Sequence, residues 1–62
     1  MPPESYNVLS ARYVELDWIE VCYLDCLGQL HRAFYVQITE IEVQIGPYAA
    51  QIVQRKLLAR FL

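Results

Sequence analysis

The stretch that decides the fold runs from residue 11 to residue 45 and reads ARYVELDWIEVCYLDCLGQLHRAFYVQITEIEVQI. At its centre lies Asp25-Cys26-Leu27-Gly28. An Asp at the first position of a type I turn can accept hydrogen bonds from the backbone that follows it. A Gly at the fourth position tolerates the left-handed conformation that closes a hairpin through a bulge. Alternating apolar residues flank this turn on both sides, so the stretch predicts an antiparallel hairpin.

Upstream, Val14, Leu16 and Trp18 alternate with Glu15 and Asp17, a period of two. After Trp18 the phase slips by one, and Ile19, Val21 and Tyr23 alternate with Glu20 and Cys22. A slip of one residue is what a β-bulge produces. Helical spacing also links Val14, Trp18 and Val21, but Tyr, Val, Trp, Ile and Cys suit strands better. Downstream, Leu30, Phe34, Val36 and Ile38 share one parity. The phase slips at Thr39-Glu40, after which Ile41, Val43 and Ile45 share the other. The segment therefore predicts two long bent strands, or up to four shorter ones meeting at corners. Pairing through Asp25 and Gln29 would set Tyr23 opposite His31 and Ile19 opposite Tyr35. Trp18, Phe34 and Val36 would then lie on the other face.

Gly46-Pro47 ends the strand region, and Pro suits the first turn of a helix. Residues 47–62 then use Ala, Gln, Leu, Arg and Lys, good helix formers. Ala49, Ala50, Val53, Leu57 and Phe61 make one stripe at helical spacing, with Ile52, Leu58 and Leu62 outside it. The expected fold is α+β in one small domain. It comprises an N-terminal arm over residues 1–10, antiparallel strands over 11–45 and one C-terminal helix over 47–62.

Size bounds the function. A chain of 62 residues hides only about 60% of its unfolded surface. Apolar burial of roughly 95 kcal/mol is nearly offset by roughly 93 kcal/mol of ordering cost. A lone monomer is therefore marginal. Yet 56% of the residues are hydrophobic and only 19% are charged. A small domain has the least interior for such groups, so the surplus is expected to face another surface.

A membrane span is not expected, because it needs about 20 consecutive apolar residues and Val43 to Gln54 is the longest charge-free run. Met1-Pro2-Pro3-Glu4 has no basic start, so no secretory leader is expected and a cytoplasmic location is the default. The net charge of −2 divides unevenly. Residues 1–45 hold seven acids and two bases, whereas residues 46–62 hold Arg55, Lys56 and Arg60 and no acid. An acidic body with a basic tail suits reciprocal protein contact better than wrapping nucleic acid, which wants a broad cationic face.

No catalytic constellation is expected. The chain has one His and two Gly, which leaves neither a credible triad nor a phosphate loop. Glu15, Asp17, Glu20, Glu40 and Glu42 read as solvent-facing alternates of half-buried strands. Cys22, Cys26 and His31 are the only metal-like cluster, short of the four ligands of a structural zinc site, so no metal or other cofactor is expected. Four extended residues span about 13 Å, too far for a Cys22–Cys26 disulfide.

Tyr and Trp combine contact area with a polar tip. Trp18, Tyr23, Tyr35, Ile52, Leu58 and Leu62 are accordingly the expected protein-contact residues. The expected role is a non-enzymatic adaptor or regulator, working as a homodimer or as a small subunit docked on a larger protein. The alternative is a small dimeric nucleic-acid-binding regulator using Arg55, Lys56 and Arg60.

Overall fold

A computed structural model describes residues 6–59. The class is α+β. Strands β1 (Asn7–Glu15), β2 (Trp18–Leu24) and β3 (Leu30–Tyr35) are followed by helices α1 (Ile38–Ile45) and α2 (Pro47–Ala59). The three strands form one antiparallel sheet in the order β1-β2-β3.

The β2–β3 hairpin forms as its turn chemistry dictates. Gly28 N–H donates to the Asp25 carbonyl at 2.9 Å, and Asp25 N–H donates to the Gln29 carbonyl at 3.0 Å. The Asp25 carboxylate accepts from Leu27 N–H and Gln29 N–H at 2.8 and 2.9 Å. Gly28 has a φ of +80°, which only glycine adopts without cost. Tyr23 pairs with His31 and Ile19 with Tyr35.

The first phase slip is a chain reversal rather than a bulge within one strand. The chain turns at Leu16-Asp17, and Glu15 pairs with Trp18. No non-glycine residue among those described has a positive φ, so this loop is not one of the primed turns that match strand twist. The register is irregular immediately before it, between Tyr13 and Glu15. That bulge at Val14 takes up the mismatch in twist. β1 also begins at Asn7, inside the stretch expected to be an arm, because Val8 is buried opposite Tyr23.

The second phase slip is the larger correction. Residues 38–45, expected as strand, form α1, so the fold has two helices where one was expected. Ile41 and Ile45 fit both a period of two and a helical stripe. Ile38 and Val43 separate the two readings. Ile38 packs against the core, whereas Val43 is 82% exposed. Glu40 lies in the first turn, where a carboxylate complements the helix dipole.

Gly46 joins the helices. At φ 97° and ψ 159° it caps α1, with its N–H donating to the Glu42 carbonyl. Its own carbonyl accepts from Ala50 N–H at 3.1 Å, the first bond of α2. One glycine thus ends one helix and starts the next, with Pro47 at the following position.

Both helices lie on the same face of the sheet. α2 packs on β1 and α1, and α1 also touches β3. Ala49, Ala50, Val53 and Leu57 of α2 are buried, as the helical stripe predicted. Phe61 lies outside the described residues. Val8, Ala11, Ile19, Val21, Tyr35, Ile41 and Ile45 complete the core. Val21, Ile41 and Val53 are its largest fully buried side chains. Among the described residues no helix is long and apolar enough to cross a membrane.

Candidate interface on the open face of the sheet

Pleating places alternate residues of each strand on opposite faces. The inner face, beneath which the helices pack, carries Val8, Ala11 and Tyr13 of β1. It also carries Ile19, Val21 and Tyr23 of β2 with His31, Ala33 and Tyr35 of β3. The outer face carries Ser10 and Arg12, then Trp18, Glu20, Cys22 and Leu24, then Leu30, Arg32 and Phe34.

No described element covers the outer face. On it Trp18 is 44%, Leu30 67% and Phe34 46% exposed. At its centre Glu20 is held between two arginines. Arg12 Nε donates to Glu20 Oε1 at 2.9 Å, and Arg32 Nε lies 3.9 Å from Oε2. The Arg32 guanidinium also sits 5.8 Å from the centroid of the Phe34 ring. Exposed ion pairs of this kind contribute about 0–1 kcal/mol to stability. The face is thus a polar bar crossed by apolar and aromatic groups.

The inner face carries an aromatic cluster at the hairpin end. Tyr23 stacks on His31 with ring centroids 5.1 Å apart, and Tyr6 meets Tyr23 edge-on at 5.6 Å. His31 Nε2 lies 2.7 Å from Asp25 Oδ2. That contact, chiefly the His31 hydrogen bond and then the Gln29 N–H, holds the Asp25 carboxyl below its ordinary value. Tyr35 is pushed up to about 12 by burial and by the neighbouring Tyr23 phenol.

The expected contact residues are dispersed. Trp18 lies on the open face, and Leu58 is exposed on α2. Ile52 packs against the core. Tyr23 belongs to the inner aromatic cluster. Tyr35 is buried in the core rather than presented to a partner, because its parity matches Ile19 and Val21. Leu62 lies outside the described residues. Sequence reasoning set Phe34 on this face with Trp18, but it did not name Phe34, Leu30 or Arg32 among the contact residues. The hairpin register held the signal for them, since they share a parity with Trp18 across the turn.

Cys22 lies on the outer face and His31 on the inner, with exposed Cys26 at the turn, so the three side chains do not converge. Both cysteines are free. Among the described residues no group of three or more His, Cys, Asp or Glu is arranged to hold a metal. Arg55 is exposed and Lys56 half-buried on α2, and Arg60 lies outside the described residues.

No protein-family model matches this chain, and no curated protein or solved structure matches it significantly.

Proposed function

We propose that this chain is a non-enzymatic protein-binding module, an adaptor or regulator that works as a homodimer. The observation that carries the reading is the one-sided covering of the sheet. Helices bury the inner face, while Trp18, Leu30 and Phe34 stand exposed on the outer. A domain this small draws little margin from its own core. Burying further apolar area against a second copy contributes a gross gain of about 25 cal/mol for each Å² removed from water, offset in part by the entropy cost of association.

The arrangement of polar groups supports binding over catalysis. Among the described residues the one buried titratable side chain is Tyr35, and burial pushes it up to about 12, away from neutral pH. Catalytic groups usually need partial desolvation to shift their pKa toward the working pH. The one acid held below its ordinary value, Asp25, is engaged in closing a turn.

The test is the mass of the purified protein by sedimentation equilibrium, alongside Trp18 fluorescence across a dilution series. The reading expects a concentration-dependent dimer. A monomer throughout the micromolar range would overturn the homodimeric form.

A further inference from the structure

The two edges of the sheet are unlike. β1 is an edge strand interrupted twice, between Val8 and Ser10 and between Tyr13 and Glu15. Bulges bend and twist an edge away from further pairing. β3 is the other edge. Its register is unbroken from Leu30 to Tyr35, and its sequence LHRAFY holds no Pro and no Lys. Among the described residues, no strand pairs with its outer side. Its one permanently charged side chain, Arg32, lies 3.9 Å from Glu20 on the outer face, so the backbone edge itself is a template for another strand.

The hydrogen-bond phase identifies which backbone groups are unpaired. Asp25 and Gln29 form a hydrogen-bonded pair, and bonded and non-bonded pairs alternate along an antiparallel ladder. His31, Ala33 and Tyr35 therefore bond back to β2. Leu30, Arg32 and Phe34 direct their N–H and C=O groups outward.

We infer that two copies of this chain pair β3 against β3 in antiparallel fashion about a two-fold axis at Ala33, joining their sheets into one of six strands. The inference takes from the homodimer reading above only its occupant, a second copy; it places the contact at the β3 edge, and the joined sheet keeps Trp18 on an open outer face. A two-fold axis normal to the sheet sets a residue opposite its own copy. An axis at Arg32 would oppose two guanidinium groups directly, which is destabilising. An axis at Phe34 would leave Leu30, His31 and Arg32 without partners inside the strand. An axis at Ala33 pairs every residue of the strand within it but Leu30. Arg32 then faces the partner's Phe34, His31 faces the partner's Tyr35, and Leu30 faces the partner's Val36.

Three features favour this register. The axis falls on a non-hydrogen-bonded pair, where opposing side chains come closest, and Ala33 is the smallest side chain of β3. Arg32 and Phe34 become hydrogen-bonded pairs on both sides of the axis, about four backbone bonds in all. Each guanidinium is set beside an aromatic ring, the contact Arg32 already makes within its own chain.

The surroundings of the edge are open and apolar. A groove of about 510 Å³ is lined by Phe34, Tyr35, Thr39, Glu40, Val43 and Gln44. Phe34 belongs to the outer face and α1 to the layer beneath. A groove lined by both lies along the free edge and end of β3. Val43 in its lining is 82% exposed and Val36, which follows β3, 44%; Leu30 at the far end of the strand is 67% exposed.

Chemical synthesis of the full chain with an N-methyl group on the Phe34 amide tests the pairing. That amide points away from β2, so the internal ladder and every side chain are kept. The dimer dissociation constant is expected to rise at least roughly tenfold, from the loss of two symmetry-related bonds, with an unchanged circular dichroism spectrum. An unchanged dissociation constant would overturn the inference. As a second measurement, A33C in a C22S/C26S chain is expected to oxidise to a covalent dimer, since Cα atoms about 4.5 Å apart suit a disulfide. Failure to cross-link while remaining dimeric would also overturn it.

The two readings fail differently. A dimer indifferent to N-methylation but abolished by Trp18→Ser assembles through the open face, which sinks the β3 pairing and leaves the binding module standing. A strictly monomeric chain sinks both.

Discussion

His31 Nε2 lies 2.7 Å from Asp25 Oδ2, fastening β3 to the turn that precedes it. The other Asp25 oxygen accepts from Leu27 and Gln29, so one carboxylate organises the whole hairpin tip. Its pKa is lowered from the ordinary 3.8 by His31 first and by the backbone donors after. A depressed folded-state pKa contributes stability above the unfolded value, and that stability is lost as pH falls through the folded value. Urea midpoints measured from neutral pH down to acid should therefore drop below about pH 3.8 in the parent chain. Asp25→Asn should start lower and flatten that acid limb. An unchanged acid limb in Asp25→Asn would show that the carboxylate is not linked to folding.

Gly28 tests the turn through conformation alone. An added Cβ would meet nothing within 4 Å, yet its φ is +80°. Gly28→Ala should destabilise by about 1–2 kcal/mol from left-handed strain, and Gly28→Asn by less. Equal midpoints for parent and Gly28→Ala would exclude a left-handed residue at this position.

The α1 assignment can be checked by a pair of substitutions. Ile41 is fully buried and Val43 exposed. At matched protein concentration, Ile41→Ala should cost about 2–5 kcal/mol and Val43→Ala under about 1 kcal/mol. Similar losses at both would restore the period-two reading of residues 41–45.

This pair also shows why the fold was only partly legible. The Asp25–Gly28 hairpin, its register and the buried stripe of α2 are written in local turn chemistry and periodicity. Two features are not. The Leu16-Asp17 reversal carries no Gly, Asn or Pro, so its phase slip looks the same as a bulge. Residues 38–45 place isoleucines where both periods are satisfied, and their β-branched content favours strand. Packing of Ile38 and Ile41 in the core overrides that propensity. For the interface, aromatic character singled out Trp18, which is exposed, and Tyr35, which is buried, alike, because residue type does not report which side of a pleat the helices cover.

Tyr35 gives an alkaline signature. Burial, then the nearby Tyr23, raises it to about 12 from 10.0. A group whose folded pKa is raised supplies stability that is whole below the unfolded value and is lost as pH rises toward the folded one. Stability should therefore fall between about pH 10 and 12, and Tyr35→Phe should lessen that fall. The difference in tyrosine absorbance between the parent chain and Tyr35→Phe isolates this one of five phenols, and followed alongside circular dichroism it should place Tyr35 ionisation with unfolding. A difference signal near pH 10 without loss of structure would contradict a core position.

The most direct measurement of the central claim, that a second copy completes this polypeptide, is sedimentation equilibrium of the purified chain at micromolar concentration. The account predicts a species of twice 7.3 kDa that dissociates on dilution. A single species of 7.3 kDa across the whole range would contradict it.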